Sequence, residues 1–200
     1  MKVVTVLGSP RKKGNTAKVL ENVESLLRKT HEVERIDLIS QDVRGCLGCS
    51  KCQENLNEPA CVQKDDVPIL FEKLLNADVI IYGTPLYGHS YSAQMKSFLD
   101  RHVAFFKVIS GAEKSFPEMK SLIEGKHTAL LVTCQGPVEN NADLIKELFV
   151  RHNLAAKTEL VGSYIVPFCT TPANTAEMSM DISQRISKDI NNIEETNIKT

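Results

Sequence analysis

The chain has 200 residues, with 24 Lys and Arg against 25 Asp and Glu and a formal net charge of −1. Its 42% hydrophobic and 24% charged content is ordinary for a globular protein, and its length suits one α/β domain. The near-neutral charge gives no electrostatic argument for a nucleic acid or a membrane as partner. The apolar run after Met1 and Lys2 is too short for a signal peptide or a membrane span, so we expect a cytoplasmic protein with reduced thiols.

Five apolar runs predict the strands of a parallel sheet, because they lack the alternation of a half-exposed strand. They occupy residues 3–7, 33–38, 77–82, 128–133 and 160–166, the second being more polar. Four helical stripes lie between or after them: Leu20, Val23 and Leu27; Met95, Phe98, Leu99 and His102; Leu144, Ile145, Leu148 and Phe149; Ile182, Ile186, Ile190 and Ile193. This order predicts an α/β three-layer, doubly wound sandwich with a five-stranded parallel sheet. We assign residues 1–193 to one domain, with a cysteine-rich loop at 45–65, and 194–200 to a polar C-terminal tail.

The loop at residues 8–16 has the composition of a phosphate site. A phosphate needs inward backbone amides, hydroxyl or amide donors and a helix N-terminus behind them. Gly8 would allow close approach, and the loop carries the polar side chains Ser9, Arg11, Asn15 and Thr16. The spacing matches neither a Walker A loop nor a G-x-G-x-x-G dinucleotide loop. The alternative is a plain strand–helix turn with an N-cap.

Two further loops leave later strands at the same predicted edge of the sheet, where ligands of such folds bind. Residues 83–90 contain Pro85, Tyr87 and Gly88, which suit a rigid wall beside a flat heterocycle. Residues 133–137 follow the next strand and contain a Gln-Gly-Pro turn. Each loop alone is also compatible with a structural turn.

Four of the six cysteines lie within sixteen residues: Cys46, Cys49, Cys52 and Cys61. The first three have the tight spacing that iron–sulfur ligation uses. The alternatives are zinc on four thiolates and metal-free or redox-active thiols. Zinc sites more typically use two separated pairs of cysteines, which this segment lacks. The eight residues between Cys52 and Cys61 can fold back at modest entropic cost.

Three segments together resemble the NAD(P)H-dependent FMN reductases of the flavodoxin-like proteins. They are GSPRKKGNT after the first strand, TPLYGHSYSAQMKSFLDR, and TCQGP, and the resemblance covers residues 1–165. CLGCSKC with Cys61 narrows it towards the iron–sulfur flavoproteins and their cluster-free relatives, although the gap before Cys61 is longer than is usual there. The resemblance implies a flavodoxin-like fold, non-covalent FMN, NADH or NADPH as co-substrate, and a homodimer or dimer of dimers.

The resemblance also implies roles for individual residues. The FMN phosphate would be held by Ser9, Arg11, Asn15 and Thr16. The isoalloxazine would be lined by Pro85, Leu86, Tyr87 and Gly88, with Thr133, Gln135 and Gly136 nearby. No catalytic acid or base is required, since the flavin carries the chemistry.

The function expected from the sequence is an FMN-containing NAD(P)H-dependent oxidoreductase. It would pass electrons through the flavin to a small-molecule or redox-protein acceptor, by way of a 4Fe–4S cluster on the four cysteines. The alternatives are a non-enzymatic flavodoxin-like electron carrier, a cluster-free FMN reductase and a metal-stabilised binding module. From its length and its Phe105, Phe106 and Phe116, residues 105–123 are further hypothesised to cover the flavin of a partner subunit.

Overall fold

A computed structural model describes residues 1–110 and 118–197. The strands are β1 (Lys2–Leu7), β2 (Glu32–Asp37), β3 (Val79–Pro85), β4 (Phe106–Ser110), β5 (Glu118–Ser121), β6 (His127–Thr133) and β7 (Glu159–Val166). The helices are α1 (Asn15–Leu27), α2 (Val67–Leu75), α3 (Ala93–Arg101), α4 (Asp143–Ala156), α5 (Pro172–Met178) and α6 (Met180–Asn197). All five predicted sheet strands are confirmed, with each end within three residues of its prediction.

The main sheet is parallel, with strand order β2-β1-β3-β6-β7. This is the flavodoxin-like order. Its topological switch point, where the strand order reverses, lies between β1 and β3. The register pairs Leu7 with Gly83 and Pro85 with Thr133. The carboxyl ends of β1, β3 and β6 therefore meet at one edge, and the loops that follow them come together there.

The core has two layers, one on each face of the sheet. Successive residues of β1 point to opposite faces, so Val3 and Leu7 pack with α1 and α6, while Val4 and Val6 pack with α2 and α3. All four side chains are fully buried. Burial on both faces explains why the strands read as continuous apolar runs rather than as alternating ones.

Two helices depart from the predicted pattern. In α4, Ile145 and Phe149 are buried, but Leu144 is 65% and Leu148 44% exposed, because a helix position one residue away points about 100° off the buried face. Helix α6 continues to Asn197, past the predicted tail boundary at 193, since its Glu-rich end has good helix propensity.

The segment between α3 and β6 forms a structure that the sequence did not predict. β4 and β5 pair as an antiparallel hairpin outside the main sheet. Phe105 is fully buried in its own core, with its ring centroid 4.3 Å from that of Phe71 on α2. It is therefore not available to cover a flavin in a partner subunit, and Phe116 lies outside the described residues.

Candidate functional site

A cavity of ≈ 360 Å³ opens where the loops after β1, β3 and β6 meet. Nine of the eleven predicted cofactor residues line it: Arg11, Asn15, Thr16, Pro85, Leu86, Tyr87, Thr133, Gln135 and Gly136. The two others, Ser9 and Gly88, do not line it. The structure thus brings three separate sequence segments to one concave site.

The N-terminus of α1 faces this cavity and is suited to an anion. The residue before the helix is Gly14, which has no side chain to cap the first amides, and the first turn contains no acid. The first turn leaves N–H groups without intrahelical partners, and the helix dipole makes this end partly positive. Arg11, exposed on the same loop, adds a positive charge at the cavity wall. A phosphate group matches this combination.

Asn15 and Thr16 connect the first loop to the later ones. The hydroxyl oxygens of Thr16 and Thr133 are 2.6 Å apart, and the Asn15 amide nitrogen donates a 3.2 Å hydrogen bond to the Cys169 carbonyl. Asn15 Oδ1 is buried without a partner in the described part of the chain. A buried, unpaired polar atom at a cavity wall is costly unless a ligand or water satisfies it, so the residues present fit a polar ligand such as the phosphate end of FMN.

Ser9 and Gly88 act on loop shape instead of lining the cavity. Ser9 is 2% exposed, and its hydroxyl accepts a hydrogen bond of 3.1 Å from the Arg11 backbone amide. Gly88 and His89 both have positive φ, at 53° and 60°, between Tyr87 and Ser90, whose backbones exchange two hydrogen bonds. This is the pattern of a tight two-residue turn, which sets the direction of Tyr87.

Gly8 has a different role from the close approach to phosphate that the sequence suggested. A Cβ atom built on Gly8 would lie 2.6 Å from Cβ of Met95 on α3. The Gly8 carbonyl accepts a hydrogen bond from the hydroxyl of Ser92, the N-cap of α3. The missing side chain is therefore needed for the packing of α3 against the first loop.

Sequence reasoning missed three cavity-lining residues, namely Cys134, Asn141 and Cys169. Asn141 links two loops. Its side-chain amide donates a 2.7 Å hydrogen bond to the Pro137 carbonyl, and its backbone carbonyl oxygen lies 3.2 Å from His89 Nδ1. Burial raises the pKa of both the Cys134 and the Cys169 thiols, so these are neutral packing groups. Cys134 lies in a loop already singled out, whereas nothing in the local sequence marks Asn141 or Cys169.

A second, smaller cavity of ≈ 80 Å³ is lined by all four predicted metal ligands. Cys46 and Cys49 are exposed, Cys61 is half-buried and Cys52 is buried. The backbone amide of Gly48 donates to Cys46 Sγ at 3.4 Å. The chain turns sharply here through two residues of positive φ, Gly48 and Ser50, which brings the thiols to one side.

The donor set of this sulfur cavity fits an iron–sulfur cluster in chemistry. Among residues 1–110 and 118–197, however, no three His, Cys, Asp or Glu side chains are close enough to hold one metal ion. Cluster ligands bind different iron atoms and lie further apart than the ligands of one ion. The four thiols therefore surround a cavity without converging on a single-ion site.

A buried ion pair contributes to the wall of the sulfur cavity. Arg101, which lines it, is 1% exposed and pairs with the fully buried carboxylate of Asp65. The guanidinium also donates 3.0 Å to the Arg44 carbonyl, just before the cysteine segment. Burial acts to raise the pKa of Asp65, but the hydrogen bonds from Arg101 and from the backbone amides of Arg44 and Val67, with the charge of Arg101, together outweigh it, so the pKa lies below its ordinary value.

A family model described as NADPH-dependent FMN reductase matches residues 1–154. The match contains all three loops of the main cavity and the sulfur cavity. The chain belongs to the NADPH-dependent FMN reductase family. Membership agrees with the uncapped, acid-free N-terminus of α1 at the main cavity and with the sheet order.

Relatives of this family member include proteins named iron–sulfur flavoprotein. One from Archaeoglobus fulgidus is 38% identical over 106 residues, which are 52% of this chain and 47% of the relative. One from Methanosarcina thermophila is 33% identical over 104 residues, 52% and 53% of the two chains. The chain thus spans about half the length of the curated relatives it matches.

Solved structures confirm the flavodoxin-like fold of this family member. The NAD(P)H:quinone oxidoreductase of Methanothermobacter marburgensis superposes with a TM-score of 0.72 at 18% identity, covering 95% of this chain and 96% of the other. Within the described residues, none of the helices combines the length and apolar character that a membrane crossing requires.

Proposed function

We propose that this chain is an FMN-containing, NAD(P)H-dependent oxidoreductase that passes electrons to a small-molecule or redox-protein acceptor. The observation that carries the proposal is the cavity in which an uncapped helix N-terminus, Arg11, Asn15 and Thr16 meet the wall formed by Pro85–Tyr87. FMN bound there would supply hydride and electron chemistry. Family membership and the relative named FMN-dependent NADH:quinone oxidoreductase from Mesomycoplasma hyopneumoniae, 25% identical over 125 residues, support the assignment.

In this proposal the protein binds, orients and shields the cofactor. Arg11 and the first amides of α1 hold the phosphate end, and Thr16 positions a hydroxyl beside it. The half-exposed Tyr87 and the buried Pro85 form the rim and floor of the ring end. A nicotinamide would stack on the exposed face of the bound flavin.

Steady-state turnover separates this enzyme from a flavodoxin-like electron carrier. The FMN-loaded protein is expected to consume NADPH or NADH in the presence of a quinone such as menadione. A carrier would hold FMN and exchange electrons with reduced proteins, but would consume neither nicotinamide with any acceptor. Flavin-free protein that resists FMN reconstitution would contradict both and favour a binding module.

We further propose that Cys46, Cys49, Cys52 and Cys61 hold a 4Fe–4S cluster in the sulfur cavity. Three observations support the cluster: one cavity is lined by all four cysteines, a backbone amide donates to Cys46 Sγ, and relatives are named iron–sulfur flavoprotein. Iron, acid-labile sulfide and zinc are measured after purification without oxygen. Iron with matching sulfide is the expected result; zinc without sulfide, or neither metal, overturns the cluster and leaves a thiol-bearing FMN reductase.

A further inference from the structure

A buried lysine lies directly beside the sulfur cavity. Lys107 on β4 is fully buried, and its ammonium nitrogen donates a 2.7 Å hydrogen bond to the carbonyl of Cys52. Within residues 1–110 and 118–197, no carboxylate pairs with this ammonium. The side chains that act on it electrostatically are the Cys52 thiol and the Lys120 ammonium. Sequence patterns gave no reason to single out this lysine.

The position of Lys107 is fixed by hydrogen bonds on both sides of it. Gln53, the neighbour of Cys52, donates 2.7 Å to the Phe106 carbonyl and accepts 3.1 Å from the Val108 amide. β4 is therefore attached to the cysteine segment immediately before and after Lys107. These bonds hold the backbone of Lys107 beside the cysteine segment, and the bond from the ammonium to the Cys52 carbonyl places the charge there.

The other buried cation of the sulfur cavity, Arg101, is already balanced. Its guanidinium pairs with Asp65, and both side chains are at most 1% exposed. Lys107 has no such partner in the described residues, so it contributes the uncompensated positive charge next to the cysteines. Burying a lone ammonium is strongly unfavourable unless an anion lies close to it.

A cluster held by four cysteine thiolates would be such an anion, and its negative charge grows by one when it takes an electron. We propose that Lys107 is the charge-compensating residue of this centre, favouring its reduced form and raising its midpoint potential. The proposal rests on the iron–sulfur site proposed above. It follows from Coulomb attraction in a site shielded from water, where one buried charge acts strongly.

The test is the midpoint potential of the cluster in the anaerobically purified 200-residue protein and in Lys107→Met. Methionine keeps an unbranched side chain of nearly the same length and removes the charge. One-electron reduction is expected to become at least tenfold less favourable in Lys107→Met, which is about 59 mV in potential. Lys107→Arg, which keeps the charge, is expected to stay near the wild-type potential, with full iron and sulfide in both variants.

Lys126→Met is the matched control. The Lys126 ammonium likewise donates to one carbonyl, that of Ala77 at 2.6 Å, but lies at the opposite, amino end of the sheet. Lys126→Met is expected to leave the midpoint potential of the cluster unchanged. An unchanged potential in Lys107→Met with full iron content overturns the role of Lys107 while leaving the cluster intact.

The remaining outcomes are also decisive. If Lys107→Met and Lys107→Gln fold, as judged by FMN binding and thermal unfolding, but lose iron that Lys107→Arg retains, the cluster depends on the positive charge at this position, which supports charge compensation by Lys107. Loss of iron in all three variants shows a packing role and overturns the proposal. Wild-type protein without iron and sulfide refutes the iron–sulfur site itself, and that result is obtained before any variant is made.

Discussion

The hydroxyls of Thr16, in the first turn of α1, and Thr133, the last residue of β6, lie 2.6 Å apart. They are 1% and 3% exposed and both line the main cavity. One of the two hydroxyl hydrogens forms this hydrogen bond, which leaves the other hydroxyl hydrogen free to bond to a ligand. The contact ties the first turn of α1 to the end of β6 at the main cavity.

Thr16→Val is expected to weaken FMN binding while the protein stays folded. Valine has a similar shape but no hydroxyl, and a hydrogen bond to a charged phosphate contributes about 1.5–3 kcal/mol. The dissociation constant, measured by fluorescence quenching of FMN, should rise about tenfold to a hundredfold. Thr30→Val, an exposed position beyond the other end of α1, is the control and should bind as wild type. Equal affinity in both variants would place the phosphate elsewhere.

Arg11→Met and Lys12→Met form a matched pair in the same loop. Both side chains are exposed, but only Arg11 lines the cavity within the described residues. Arg11→Met should weaken FMN binding about fivefold, roughly 1 kcal/mol for a partly screened charge, and reduce the salt dependence of binding. Lys12→Met should change neither. If the two variants lose affinity equally, Arg11 contributes only general positive charge.

Gly8→Ala tests the packing role of Gly8. The new Cβ would lie 2.6 Å from the Met95 Cβ, so helix α3 has to shift, and we expect a loss of about 1–3 kcal/mol in the free energy of unfolding. Gly45→Ala, where no heavy atom lies within 4 Å of the new Cβ, is the control and should change stability by less than about 0.5 kcal/mol. Urea denaturation measures both. Similar midpoints for the two variants would refute the packing role.

A buried histidine pair predicts acid sensitivity. The ring nitrogens of His102 and His152 are 3.2 Å apart among aromatic side chains. Burial lowers the pKa of His152 from 6.5 to about 4, and burial together with repulsion from His152 lowers the pKa of His102 well below its ordinary value. Because the unfolded chain binds protons that the folded chain does not, this contribution is complete above pH 6.5 and is lost as the pH falls towards 4.

The free energy of unfolding should therefore fall by up to about 1.4 kcal/mol per pH unit for each such histidine over that range. His152→Gln removes one titrating group, and its stability should depend less steeply on pH between 6.5 and 4. Denaturant titrations at a series of pH values measure the slope. An identical slope in the variant would show that His152 does not cause the acid sensitivity.

Local sequence patterns predicted the sheet and most of the main cavity because both depend on strand ends followed by polar loops. Arg11, Thr16 and Tyr87 are close in sequence to such ends, and the sheet order brings them together. Cys169 could not be predicted, since it reaches the cavity through a bond from Asn15, 154 positions earlier in the chain.

Side-chain direction and long-range packing account for the remaining differences. Ser9 has the right chemistry for phosphate, but its hydroxyl accepts a hydrogen bond from the Arg11 amide and the residue does not line the cavity. Lys107 looks like an ordinary charged residue in the sequence. Its burial follows from the docking of the β4–β5 hairpin on the cysteine segment, which no local periodicity encodes.

The central claim is that a nicotinamide reduces FMN bound in the main cavity, and a single-turnover experiment tests it most directly. FMN-loaded protein is mixed anaerobically with NADPH, and separately with NADH, while the visible flavin absorbance is followed. The account predicts that at least one nicotinamide bleaches the flavin fully within seconds and that Thr16→Val saturated with FMN does the same. Flavin that stays oxidised with both nicotinamides, yet is bleached by dithionite, would contradict the claim and identify an electron carrier.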